Sequence, residues 1–260
     1  MIYAIISDIH ANSEAFEAVL TRCFEEHIDK FICLGDIVGY NASPSECIKM
    51  IKNLDIEFSV LGNHDEYAGS DISLIGCNPL AKKGIFWTRE QLTKDQRKWL
   101  MTPKLKIVNI KDKFTLVHGT LDSPSSWGYI FDAHDAHDNF IYQMTQITFC
   151  GHTHIPALFI KDSSIHDEQK QISVYKPWNN IDIFESEVSL KLDRDMKYLV
   201  NPGSIGQPRN GDPRASFCIF DTRSRVLKRI CVEYDIKAAQ DKIKAAGLPE
   251  ELAYRLEKGC

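Results

Sequence analysis

Five times in this chain an apolar, strand-like run ends abruptly in acidic, amide or imidazole side chains. Asp8-Ile9-His10 follows the run from Ile2 to Ser7, Gly35-Asp36 follows Phe31 to Leu34, and Gly62-Asn63-His64-Asp65 follows Ile56 to Leu61. Further along, His118-Gly119 closes the run from Lys113, and Gly151-His152-Thr153-His154 follows Ile147 to Cys150. This recurrence points to a sheet-based α/β fold with its chemistry at one end. Loops leaving the carboxyl ends of neighbouring strands converge there and deliver side chains to one place.

The runs between the clusters support that reading. Asn12 or Ser13 opens a helix that reaches about Glu26, and Ser43-Pro44-Ser45-Glu46 combines capping-box spacing with proline at the first helical position. Asn78 precedes a helix over Pro79–Gln91, Thr93 and Gln96 have capping-box spacing before Lys94–Leu100, and a further helix is expected near His134–Met144. Lys104–Asn109 and Lys113–His118 read as a hairpin. Beyond His154 the pattern turns mainly to strands: Ala157–Lys161, Gln171–Tyr175, Glu187–Leu192, Tyr198–Asn201, Ala215–Asp221 and Arg225–Tyr234. The polar stretch from Asp162 to Gln171 reads as a hairpin tip, and two helices close the chain at Ile236–Ala246 and Pro249–Glu257. Alternation followed by a run of strands suggests two packed sheets with helices outside. With no long linker, repeat or low-complexity stretch, residues 1–260 are expected to form a single domain.

Asp8, His10, Asp36, Asn63, His64, His118, His152 and His154 make a mixed oxygen and nitrogen ligand set without thiolate. Such a set suits manganese, iron, zinc, cobalt or nickel better than a structural zinc. If the segments are extended, Asp8/His10 and His152/His154 each point side chains the same way. One cation cannot use so many ligands and keep an open position, so two are implied. A shared carboxylate, with Asp36 the natural choice, would hold them roughly 3.5–4 Å apart and lower the pKa of a bridging water to near neutrality. Any one of these residues alone would be read as an ordinary loop residue; the ordered set is not.

The five blocks, in order and unbroken, resemble the calcineurin-like metallophosphoesterase superfamily, with its D-x-H, G-D, G-N-H-D/E, single H and G-H-x-H. The resemblance implies a four-layer α/β/β/α sandwich of two mixed sheets flanked by helices, and a hydrolase with two divalent metal ions, manganese first among them. It implies one metal on Asp8, His10, Asp36 and His154 and a second on Asp36, Asn63, His118 and His152. His64 then matches the family's catalytic histidine, a general acid, with Asp65 placed to orient it and raise its pKa.

The second block reads Gly35-Asp36-Ile37-Val38-Gly39-Tyr40 and lacks the arginine of the protein Ser/Thr phosphatases. The chain is more similar to a bacterial branch with G-D-I-V-G-Y-x-x-x-P, here ending at Pro44, with Trp127–Ile130 and with Asn201-Pro202-Gly203-Ser204 before Pro208-Arg209. That branch implies a dinucleoside polyphosphate such as diadenosine tetraphosphate as leading substrate, with phosphodiesters or small phosphomonoesters as alternatives. A non-catalytic scaffold of the same fold is the rival of another class, but such relatives lose ligands or the histidine.

Three weaker features have two readings each. The 201–209 loop either presents amides and the Arg209 guanidinium to phosphate or merely turns between strands. Asn12 either donates to phosphate or caps its helix. Trp127, Tyr129 and Phe131 either stack a nucleobase or form an aromatic core or lid strip. His27, His134, His137 and His166 lack such context and are expected at the surface.

Composition restricts the partners. The chain is 43% hydrophobic and 26% charged with formal net charge −5, which argues against broad nucleic-acid binding. Its eight cysteines include no C-x-x-C pair, so reduced thiols used as small core residues are expected rather than a disulfide framework or zinc site. Neither a signal-peptide pattern nor an apolar run of about 18 residues is present, so a cytoplasmic location with no membrane contact is expected. The oligomeric state stays open.

Overall fold

The computed structural model describes residues 1–165, 167, 171–175 and 185–260. The strand-like runs assemble into two six-stranded mixed sheets. In the first, β1 (Ile2–Ile6), β2 (Lys30–Cys33) and β3 (Ile56–Ser59) are parallel, in the order β3-β2-β1. The sheet continues antiparallel through β11 (Ala215–Asp221), β12 (Val226–Val232) and β9 (Glu187–Lys191). The second has the order β4-β5-β6-β10-β7-β8. There β4 (Lys106–Asn109) is antiparallel to β5 (Phe114–Val117), which runs parallel to β6 (Ile147–Phe149) and β10 (Met196–Asn201). β7 (Ala157–Asp162) and β8 (Ile172–Tyr175) complete it antiparallel.

Strand periodicity sorts the core into layers. In β1, Tyr3 and Ile5 face the second sheet, packing with its Phe114, Phe149 and Val200 and with Phe220 of neighbouring β11. Ala4 and Ile6 face the other way, onto Phe16 and Val19 of α1 (Ser13–Glu25) and Ile48 of α2 (Pro44–Lys52). Each fully buried phenylalanine in the inter-sheet layer contributes about 1.5–3 kcal/mol. On the outer face of the second sheet, Phe140 of the helix Ala133–Tyr142 packs with Phe159 and Leu199. The result is the expected four-layer α/β/β/α sandwich.

Several local expectations change. Asn12 and Thr93 do cap their helices, but Ser43 makes no capping hydrogen bond; its hydroxyl accepts from Lys242 instead. The segment from Asn63 to Gly69 is a short helix, α3, that the sequence pattern did not suggest. Its cap position is Gly62, which has no side chain to signal the start. All eight cysteines are unpaired, six of them buried as small core residues. Among the described residues no helix is long and apolar enough to cross a membrane. His27 and His134 are exposed and His137 is half-buried, whereas His166 and part of the 162–171 tip lie outside the described residues.

Candidate active site

The loops that leave β1, β2, β3, β5 and β6 meet at one pole of the sandwich. Backbone hydrogen bonds tie them together: Asp8 N donates to Gly35 O (3.1 Å), His10 N to Asp36 O (2.9 Å) and Gly151 N to His118 O (2.8 Å). The clustered side chains do not converge through strand alternation, as an extended geometry would have it. Asp8, His10, Asp36, His152 and His154 have φ of 52, 47, 54, 69 and 61°, in the left-handed region. Such conformations cost non-glycine residues about 1–2 kcal/mol each and persist where surrounding contacts over-determine them.

The ring nitrogens reveal what the site lacks. His10 Nδ1 donates to Val38 O (3.0 Å), His118 Nδ1 to Leu34 O (2.7 Å) and His154 Nδ1 to Gln207 O (2.6 Å). A carbonyl only accepts, so in the neutral rings of His10 and His154 each Nε2 is a bare lone pair turned inward. His10 Nε2 and His154 Nε2 then face each other at 3.0 Å, both rings held neutral well below the usual histidine range, first by burial. His154 Nε2 also lies 3.4 Å from Asp8 Oδ1. On the other side, His118 Nε2 lies 3.3 Å from Asp36 Oδ2, and His152 turns Nε2 to Trp127 O (2.9 Å), leaving Nδ1 for the centre. Buried Asp8 Oδ1, Asp36 Oδ2 and Asn63 Oδ1 have no hydrogen-bond partner. Acceptors facing acceptors without water are unfavourable by several kcal/mol unless a cation sits between them.

The donors fall into overlapping groups, Asp8/His10/His154, His10/Asp36/His64 and Asp36/His118/His152, each with its ligand atoms within 4.8 Å of one another. The residues therefore fit divalent metal ions. Charge in the site responds accordingly. Burial pushes Asp36 up, but the His118, His64 and His10 imidazoles overcome it and hold the carboxyl well below the usual range. Burial likewise opposes the His118 imidazolium, yet Asp36 and Asp8 raise it to about 9, so a proton substitutes there for a cation.

Beyond the cluster opens a cleft of about 360 Å³, lined by Asp36, Asn63, His64, His152, His154 and Arg209, with Tyr40, Trp127 and Tyr129 on its walls. Arg209 Nη2 donates to Tyr40 Oη and to Gln207 Oε1, both at 3.2 Å.

This geometry, five loops delivering two carboxylates, an amide and imidazoles to one pole of a double-sheet sandwich, is matched by comparison. Residues 1–225 match the family model of the calcineurin-like phosphoesterase superfamily domain. The chain belongs to that superfamily. It is 39% identical to an uncharacterized protein of Methanocaldococcus jannaschii, over 98% of this chain and 97% of that one. A metallophosphoesterase from Sphaerobacter thermophilus superposes with a TM-score of 0.85 and 35% identity, covering 100% and 99% of the two chains. A hypothetical protein from Pyrococcus horikoshii shares the fold, with TM-score 0.77, 23% identity and 100% and 98% coverage. The chain is accordingly a hydrolase of a superfamily that works with divalent metal ions.

Within this phosphoesterase, Asp8, His10, Asp36, Asn63, His64, His118, His152 and His154 all lie at one pole. Three other expectations are corrected. Asp65 does not orient His64: its Oδ1 accepts from Ile37 N (2.9 Å) and Val38 N (3.2 Å), bracing the loop that carries Asp36. Without that partner His64 is not raised; burial holds it down, to about 4, against the pull of Asp36. Asn12 is 1% exposed, with Oδ1 capping Ala15 N and Nδ2 donating to Gly206 O, so it does not reach the cleft. The 201–209 loop uses its amides internally: Ile205 N donates to Ser7 O, Gly206 N to Asp8 O and Arg209 N to His154 O. Of that loop, Arg209 lines the cleft, while buried Gln207 sits behind it and accepts from its guanidinium.

Two residues were missed. Gly39 (φ +95°) lies under His64, where a Cβ would come 2.3 Å from Nδ1. Tyr40 packs its ring 4.5 Å from that of His64 and 4.8 Å from that of His10. Both stand in the quoted G-D-I-V-G-Y block, and the glycine before an aromatic was the available signal. Tyr129 stacks on His152 at 4.1 Å and on Phe131 at 5.2 Å, forming a column rather than a core strip.

Proposed function

We propose that this chain is a cytoplasmic phosphohydrolase that cleaves a phosphoanhydride or phosphoester bond of a small nucleotide-like substrate. Diadenosine tetraphosphate is the leading candidate. The cofactor would be two divalent transition-metal ions, manganese first among them. The observation that carries this reading is the facing of buried acceptors, His10 Nε2 against His154 Nε2 at 3.0 Å, with Asp8 Oδ1 and Asn63 Oδ1 left without a partner around them. Asp8, His10, Asp36 and His154 would hold one ion, and Asp36, Asn63, His118 and His152 the other. When bound, such ions neutralise phosphoryl oxygens and make water a nucleophile near neutral pH.

The chain's own side chains do the rest. Arg209, kept in place by Tyr40 and Gln207, offers its guanidinium to a phosphoryl oxygen, a charge-assisted contact. Burial holds His64 as neutral imidazole before substrate arrives; the negative charge of an arriving phosphoryl group opposes burial and favours the imidazolium, whose ring proton can then pass to the leaving oxygen and return the ring to neutral. Trp127 and Tyr129 supply aromatic surface beside the phosphate site, which favours a substrate with a planar base. Unpaired buried thiols accord with a reducing compartment.

The test is to strip the protein with chelator, reload it with manganese, and analyse products from diadenosine tetraphosphate by chromatography. ATP plus AMP, formed only with metal, is the expected outcome. Activity confined to an aryl phosphodiester or phosphomonoester would keep the chemistry and replace the substrate. Hydrolysis that survives complete metal removal would sink the reading.

A further inference from the structure

The end of the sandwich opposite the candidate active site carries a second concentration of charge. Lys111, Lys113, Lys191, Arg194, Arg223 and Arg225 line two adjoining clefts of about 590 and 250 Å³, which share the three arginines. The location follows from strand direction. Arg194 precedes β10 at Met196, and β10 ends at Asn201, whose Nδ2 donates to Gly151 O at the catalytic pole. Six residues of strand place the two sites roughly 17–20 Å apart.

Three features set these clefts apart from an ordinary solvated face. Among the described residues none of the six cations forms an ion pair, although the chain as a whole has a formal net charge of −5. The acidic residues in the lining are otherwise engaged: Asp112 accepts from Tyr3 Oη and Asn109 Nδ2, and Asp193 Oδ1 accepts from Asp195 N. Arg225, finally, is fixed only by neutral acceptors, through Nε to Leu192 O (3.2 Å) and Nη2 to Gln146 Oε1 (2.9 Å) and Asp193 O (3.2 Å). Its positive charge is thus positioned in advance with no carboxylate in ion-pair contact among the described residues, the arrangement of a preformed anion site.

We infer that these joined clefts bind a small polyanion, a chain of three or more phosphoryl groups, free or carried on a nucleoside. Lys191 lines one cleft and Lys111 and Lys113 the other, so an extended polyphosphate would run through both with the shared arginines at its centre. The inference does not depend on what the catalytic pole hydrolyses.

The test is isothermal titration of the metal-loaded chain with inorganic tripolyphosphate, with free metal buffered to the same level in cell and syringe. Two binding events are expected, one at each pole. The double variant Arg194→Glu/Arg223→Glu should weaken one at least tenfold and leave turnover within twofold of the parent. Both residues are exposed and, among the described residues, their side chains make no hydrogen bond, so folding is not at risk. Arg209→Ala should weaken only the other event. Tripolyphosphate binding that the double variant leaves within twofold would overturn the site. A single-stranded oligonucleotide that binds more tightly than tripolyphosphate, and is lost in the same variant, would overturn the choice of a small ligand. ATP binding no tighter than tripolyphosphate would place recognition in the phosphate chain alone.

Discussion

The two poles of the sandwich both hold unbalanced charge, and they differ in what surrounds it. At the catalytic pole Asp8, Asp36, His10, His118 and His154 are at most 2% exposed, so each bare acceptor there faces protein alone. At the opposite pole Arg194, Arg223, Lys111, Lys113 and Lys191 stand in solvent, where water and salt screen them within about 10 Å at 0.1 M. The backbone shows the same contrast. Lys113 and Arg225 also adopt left-handed φ, both 60°, but in exposed turns next to strands. Left-handed geometry at Asp8, His10 and Asp36 is instead locked by cross-loop hydrogen bonds under the centre. Imbalance in a dry site demands one specific ligand; imbalance in water tolerates its absence.

The sharpest way to break this contrast is at Asp36, whose Oδ1 accepts from His64 N (2.8 Å) while Oδ2 faces His10 (3.6 Å) and His118 (3.3 Å). Asp36→Asn should lower turnover by about 10³-fold, roughly 4 kcal/mol of transition-state stabilisation, and reduce metal content at both positions. Two full metal equivalents by elemental analysis would contradict its shared role. His64→Ala should cost about 10²–10⁴ in turnover while both metals stay, because the ring is cast as donor rather than ligand. Loss of one metal equivalent in that variant would reassign His64 to the ligand set, as its grouping with His10 and Asp36 allows.

Metal removal probes the buried pole through stability. With metal at about 100 times its Kd, linkage adds about 2.7 kcal/mol, worth roughly 5–10 °C in Tm for a chain of this size. Calorimetry of the stripped and reloaded protein measures it, and equal Tm values would mean that the facing acceptors do not need a cation. Gly39→Ala should have a smaller effect, destabilising by about 1–2 kcal/mol through its φ of +95°. Displacement of His64 should appear in kcat more than in KM. A variant with parental kcat would show that the ring does not depend on the floor beneath it.

Why some of this was legible and some not follows from the kind of interaction involved. Asp8, His10, Asp36, Asn63, His118, His152 and His154 were identifiable because each stands directly after an apolar run, a one-dimensional signal. Asp65 was misjudged because adjacency to His64 says nothing of direction in the first turn of α3, where successive side chains point about 100° apart. Its carboxylate turns to Ile37 N and Val38 N, 28 and 27 residues away in the chain. Asn12 carried signals for two roles, and only the proximity of Gly206, 194 residues on, decides between them. Left-handed φ at Asp8 and His154 left no trace, since neither is glycine. The layer order was legible from the alternation of Tyr3 and Ile5 against Ala4 and Ile6.

The exposed pole gives the smallest effect and the cleanest discrimination. In Arg194→Glu/Arg223→Glu, two of six unpaired cations become anions, so repulsion within the cluster turns partly into attraction. At physiological salt the stability change should stay within about 0.5 kcal/mol, as for most surface substitutions. At 10 mM salt, where the screening length is about 30 Å, the variant should be more stable than the parent, and the difference should vanish by 1 M. The gain conferred by metal at the catalytic pole should persist across the same salt range, because its partners are buried and are screened much less. Thermal denaturation of both proteins at the three salt concentrations, with and without metal, separates the two behaviours. If the metal-dependent gain fades with salt as fast as the charge-reversal gain, the catalytic pole is open to solvent and the contrast between the poles fails. If neither responds to salt, the six cations are already neutralised, and the polyanion site loses its electrostatic basis.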